Sequence, residues 1–163
     1  GRMEGGDVVW LNERTLAVGR GYRTNAEGIR QLREMTAGMV DRFIEVPLPH
    51  ADGADACLHL MSLISLVDRD LAVVYSRYLP VFFRKILINM GFEFIDVPDD
   101  EYERLGTNVL ALAPRRCLYP SGNPETLAKM TRAGTRVFTY PAEELSLKGT
   151  GGPTCLTCPV LRK

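Results

Sequence analysis

One order of pieces occurs three times along the chain: an apolar run, a charged turn, a second apolar run, a helical stretch, and a closing strand that ends in proline. In the first copy DVVWLN turns through Asn12–Arg14 into TLAVG, a helix is predicted from about Asn25 to Met39, and RFIEVP closes at Pro47. In the second, LISLV turns at Asp68–Asp70 into LAVVY, a helix follows from about Pro80 to Met90 with Gly91 as its stop, and FEFIDVP closes at Pro98. In the third, NVLALAP turns into RCLYP, a helix runs from about Pro124 to Ala133 with Asn123 as its N-cap, Gly134 ends it, and TRVFTYP closes at Pro141.

Such a grammar predicts an α/β protein of small strand-strand-helix-strand modules, spanning about 7–48, 60–98 and 107–141 and followed by a loop at 149–163. In the first helix Ile29, Leu32 and Met35 are spaced to form one apolar stripe against a sheet. Modules of this size bury their inner faces against neighbours, so repetition points to a layered sheet or a ring of blades, and three modules to an incomplete ring.

At 163 residues the chain is long enough for one domain with a sizeable core. Twenty basic and 20 acidic side chains leave no net field to concentrate nucleic acid or an anionic membrane, which points to a small-molecule or protein partner. The chain has no apolar run of about 18 residues, and GRMEGGD lacks a signal-peptide pattern. The expected setting is therefore cytoplasmic and reducing, where Cys57, Cys117, Cys155 and Cys158 serve as thiols rather than as a disulfide framework.

Four places can carry chemistry. Gly149, Gly151, Gly152 and Pro153 lead Cys155 into a tight loop that can present a thiol, although packing is the competing role for any free cysteine. His59, between Leu58 and Leu60, is either a core histidine or a proton carrier, whereas His50 sits in a polar loop and is assigned to the surface. Glu4 and Asp7 flank a Gly-Gly pair, where backbone can approach a ligand or where two acids can simply be solvated in a turn. Arg23 precedes a helix start that Thr24 or Asn25 can cap; a cation there marks either an anion site or an ordinary surface arginine.

Taken together, EGGDVV at Glu4–Val9, RTNAEG at Arg23–Gly28, His59-Leu60, GTNVLAL at Gly106–Leu112 and GGPTCLTCPVLR at Gly151–Arg162 resemble the guanidino-group-modifying enzymes. These are the arginine deiminases, dimethylarginine dimethylaminohydrolases and amidinotransferases. The resemblance implies a five-bladed α/β propeller, the pentein fold, of which this chain carries about three modules as its C-terminal catalytic portion. It implies Cys155 as nucleophile, His59 as general acid and base, Glu4 as the carboxylate beside them, Arg23 as a clamp on the substrate carboxylate, and Asp7 as a further substrate contact. No cofactor or metal is implied.

The implied activity is hydrolysis of arginine or a methylated arginine to citrulline through a Cys-linked intermediate. Amidino transfer by the same machinery is the alternative. Met61 follows His59-Leu60 where the subfamilies carry an acid or a lysine, so substrate choice stays open. Family members carry further modules before EGGD, which implies a fragment, a complementary chain or a homo-oligomer. A rival of another class is a Cys₃His zinc staple from Cys57, His59, Cys155 and Cys158 in a non-enzymatic module.

Overall fold

In the computed structural model, which describes residues 1–157, the repeated pattern becomes three small sheets of three strands each. In the first, β1 (Val8–Asn12) runs antiparallel to β2 (Thr15–Arg20), the chain crosses over through α1 (Ala26–Met35), and β3 (Arg42–Pro47) returns parallel to β2. The second sheet repeats this with β4 (Ile64–Leu66), β5 (Leu71–Val74), α2 (Val81–Asn89) and β6 (Glu93–Asp96). A single turn of helix, α3 (Asp99–Tyr102), leads to the third: β7 (Leu110–Ala113), β8 (Arg116–Pro120), α4 (Pro124–Arg132) and β9 (Arg136–Tyr140).

In each sheet the second strand is the middle one, paired on both edges. A middle strand with both faces covered needs apolar residues in succession rather than in alternation. Leu16-Ala17-Val18 and Ala72-Val73-Val74 meet that need and are fully buried. In the first sheet Leu16 and Val18 pack on Ile29 of α1, with Val8, Leu32, Val40 and Phe43 around them.

The chain divides into two compact units. One comprises Gly1–Leu63 and Ser76–Gly91, the other Ile64–Tyr75 and the chain from Phe92 onward. No helix among the described residues is long and apolar enough to cross a membrane.

Two helix ends differ from expectation. α1 stops at Met35, because Thr36 turns its hydroxyl back onto the Leu32 carbonyl and Gly38 takes a left-handed φ of 84°. Met35 therefore lies on the exposed side and leaves Ile29 and Leu32 as the apolar stripe. Asn25 caps α1 by accepting from the Gly28 N–H.

Asn123 makes no such cap on α4. Its amide Nδ2 instead donates to the carbonyls of Arg104 and Pro120. The first free N–H groups of α4, on Glu125 and Thr126, donate at 2.7 and 2.9 Å to the buried carboxylate of Glu101, 24 and 25 residues away. A carboxylate at a helix N-terminus satisfies those donors and meets the positive end of the helix dipole. Replacing it should leave two donors buried and unpaired, so Glu101→Ala is expected to lower unfolding free energy by about 2 kcal/mol, measured by urea denaturation. An unchanged midpoint would show that the cap contributes nothing.

Candidate active site

The first unit is organised from inside outward by Asp7, the last residue of a single 3-10 turn (Gly5–Asp7) that leads into β1. Asp7 is fully buried. Its Oδ2 accepts from the Thr24 hydroxyl at 2.5 Å and its Oδ1 from the Leu60 N–H at 2.9 Å. The Thr24 hydroxyl in turn accepts from the Glu4 N–H at 3.1 Å. Two segments far apart in sequence are thereby tied to one carboxylate, which brings the neighbours of the tied residues, Arg23 and His59, to Glu4.

These neighbours converge. Glu4 Oε2 lies 2.6 Å from His59 Nε2, and Glu4 Oε1 accepts from Arg23 Nε at 2.9 Å. Gly6 leaves room for the ring, since a Cβ there would come within 2.8 Å of His59 Cγ. The three side chains stay reachable from solvent, with relative exposures of 35% for Glu4, 39% for Arg23 and 16% for His59.

The electrostatics follow from these contacts. The hydrogen bond from Arg23, and after it that from His59, holds the Glu4 carboxyl below the ordinary carboxylate value. The same bond to Glu4, and then the nearby Cys57 sulfur, raises Arg23. Burial pushes Asp7 up, against the pull of the Thr24 and Leu60 hydrogen bonds. An ionised carboxylate only accepts, so the Glu4 contact places the His59 proton on Nε2. The ring also accepts from the Ser62 backbone N–H while Ser62 Oγ accepts from the His59 N–H at 3.2 Å. Cys57 Sγ stands 3.7 Å from Nδ1. The tautomer is fixed from both sides, with the proton on Nε2 and Nδ1 as the accepting nitrogen.

Cys155 belongs to the second unit, on an exposed loop whose N–H groups at 155 and 156 bond the Gly152 carbonyl. Asn108 Nδ2 donates to its sulfur at 3.2 Å, and Asn108 Oδ1 accepts from the Thr154 N–H at 3.0 Å and hydroxyl at 2.7 Å. Gly152 sits on this amide; a Cβ there would approach Asn108 Cγ to 2.4 Å. Cys117 is the opposite kind of cysteine, buried in β8 with its thiol pushed up to about 11 by burial.

Glu4, Arg23 and His59 are thus brought together by the first unit, and Asp7 stands behind them with both oxygens engaged. Thr24 anchors Asp7, while Asn25 alone caps the helix. Asn108 is the residue that motif reading passes over within GTNVLAL; its one signal is a polar residue directly before an apolar strand. His50 is exposed and contacts the Tyr22 hydroxyl at 2.7 Å. The zinc staple is not favoured. Among the described residues no three His, Cys, Asp or Glu side chains stand together as metal ligands. Cys57 and His59 face each other, the Cys155 sulfur contacts an amide, and Cys158 lies outside the described residues.

Two outcomes are expected. Asp7→Ala strands the Leu60 N–H and the Thr24 hydroxyl and should destabilise the protein by about 3 kcal/mol, read from the denaturation midpoint; a loss below about 1 kcal/mol would show that Asp7 is not the anchor. A carboxyl held low in the fold adds stability above its ordinary value of 4.5 and loses it as pH falls through the lowered folded value. Stability measured from pH 7 downward should therefore fall less steeply below about 4.5 in Glu4→Gln than in the parent, and superimposable curves would contradict the assignment.

The family model described as arginine deiminase matches residues 1–81 and 76–162. An arginine deiminase of Mycobacterium avium (strain 104) is 27% identical over 190 residues, covering 98% of this chain and 46% of its own length. Among solved structures, a cysteine-to-serine mutant of DDAH from Pseudomonas aeruginosa complexed with citrulline superposes with a TM-score of 0.70 at 25% identity, over 88% of this chain and 51% of that one. SxtG, an amidinotransferase from Microseira wollei, superposes with a TM-score of 0.80 at 19% identity, over 97% of this chain and 47% of that one, and shares the fold. The chain spans about half the length of the curated relatives it matches.

Proposed function

Because the chain belongs to the arginine deiminase family, we propose that it supplies the nucleophile, the proton carrier and a carboxylate for hydrolysing a guanidino group. Arginine or a methylated arginine is the substrate and citrulline the product. The observation that carries this reading is the chain of contacts from Arg23 through Glu4 to His59. The DDAH relative was solved with citrulline, a ureido compound of the kind such hydrolysis releases.

The chemistry sets the roles. A guanidinium is a flat, delocalised cation and a poor electrophile, so a catalyst must hold it with a carboxylate and attack it with a strong nucleophile. Glu4, kept ionised by its partners, provides the first. The Cys155 thiolate provides the second and adds to the guanidinium carbon. His59 passes the proton given up by the Cys155 thiol to the departing amine, leaving an amidino-thioether on sulfur, and then takes a proton from water as water attacks the same carbon. Collapse releases the ureido product and returns the sulfur. Asp7 serves this site from behind by fixing the segments that bear Arg23 and His59.

An amine in place of water would turn the same intermediate to amidino transfer. Hydrolysis is favoured because the matching family and the curated relative are arginine deiminases, whereas the amidinotransferase shares the fold. We place the three sheets as three blades of a five-bladed propeller, completed by modules in the remainder of the protein or in a second chain. In that frame the pocket uses residues beyond this chain, and the complete gene product is the species to assay. Its setting is the cytoplasm.

Turnover of arginine and methylated arginines, followed as ureido product and released amine, should fall by about a thousandfold or more in Cys155→Ala; undiminished turnover would remove sulfur from the mechanism. Arg23→Ala should raise KM for arginine by about 10- to 100-fold and spare agmatine, which lacks the α-carboxylate. Equal loss on both substrates would mean that Arg23 acts only through Glu4.

A further inference from the structure

We propose that Asn108 is a catalytic residue: its side-chain amide donates to the Cys155 sulfur and stabilises the thiolate that attacks. The inference rests on Cys155 being the nucleophile.

Orientation comes first. The two ends of an asparagine amide are told apart by what they face. A backbone N–H only donates, and the Thr154 N–H lies 3.0 Å from one end of the Asn108 amide, so that end is the oxygen. The Thr154 hydroxyl at 2.7 Å engages the same oxygen. The NH₂ end is left aimed at Sγ, 3.2 Å away. Asn108 is 6% exposed and has Gly152 packed against its amide with no room for a side chain, so the donor is held in place before any reaction begins.

Chemistry comes second. A neutral thiol is a weak acceptor, whereas a thiolate accepts strongly and a bond to an ionised partner is about twice as strong as a neutral one. The same contact therefore favours the charged sulfur over the protonated one. A donor already aimed costs no reorganisation when the charge forms. The loop and the donor are also one construction, since the oxygen of the amide that activates the sulfur holds the residue before it.

The test separates electrostatics from scaffolding. Cys155 alkylation by iodoacetamide at pH 7 is followed by peptide mass mapping in the parent, Asn108→Ala and Asn108→Asp, with thermal unfolding as the check on folding. Asp keeps the shape and both oxygen contacts to Thr154 but sets an anion where the donor was. The expected order is parent fastest, Asn108→Ala about tenfold slower, and Asn108→Asp slower still. A purely structural role gives the reverse order for the two variants, with Asp close to the parent, and that result overturns the proposal. If Asn108→Asp does not fold, Asn108→Ala is compared with Thr154→Ala, which loosens the same loop and leaves the donor; equal rates overturn the proposal. Alkylation needs no turnover, so a failure here is distinct from a failure of the hydrolase reading, which the turnover of Cys155→Ala decides.

Discussion

A carboxylate removed from water must be met by donors or its burial is strongly unfavourable. Asp7 is fully buried, and the donors that meet it come from the Thr24 hydroxyl and the Leu60 N–H, 17 and 53 residues away. Satisfying one acid therefore dictates where two distant segments lie. The residues adjacent to those donors, Arg23 and His59, are thereby delivered to Glu4, three residues before the acid itself. The geometry of the half-buried carboxylate is a consequence of the buried one. The arrangement also explains Gly6, because the His59 ring occupies the space that a side chain there would fill.

Division of labour between the two acids follows from their surroundings. Burial pushes Asp7 toward its neutral form and hydrogen bonds pull it back. Glu4, at the surface between a guanidinium and an imidazole, is held ionised. Two oxygens carry about four acceptor positions, of which Arg23 and His59 take one each, so Glu4 retains capacity for a further planar cation. On the proposed mechanism this is what a guanidine substrate uses. The pinned His59 tautomer complements it, since Nε2 donates to Glu4 while Nδ1 accepts from the Ser62 N–H. The second unit applies the same device with a neutral group: the Asn108 amide, oriented through Thr154, is fixed by its oxygen and works through its nitrogen.

The strands are the most legible part of the sequence, because a middle strand covered on both faces must be written as consecutive apolar residues, and LAV at 16–18, LAVV at 71–74 and CLY at 117–119 are. Helix ends are less so. Spacing alone extends the first helix four residues too far, because Met35 and Met39 continue the apolar pattern, yet Thr36 and Gly38 have already turned the chain. Asn123 looks like a cap by position, but the donors it would meet belong to Glu101, whose approach is set by tertiary structure and leaves no local signal. Glu4, Arg23 and His59 can be named from motifs, and their contact spans 55 residues of sequence. What no spacing reveals is which acid of EGGD is buried, or that an asparagine 47 residues before Cys155 faces its sulfur.

The proposed catalysis requires that carbon from a guanidine become bonded to one particular sulfur. Rapid acid quenching of the complete gene product during turnover of arginine or a methylated arginine, followed by mass mapping of the cysteine peptides, tests it directly. A substrate-derived amidino adduct is expected on the peptide containing Cys155, located to that residue by fragmentation, with Cys57, Cys117 and Cys158 unmodified. Turnover with no adduct at Cys155, or with the adduct on Cys57 beside His59, would contradict it.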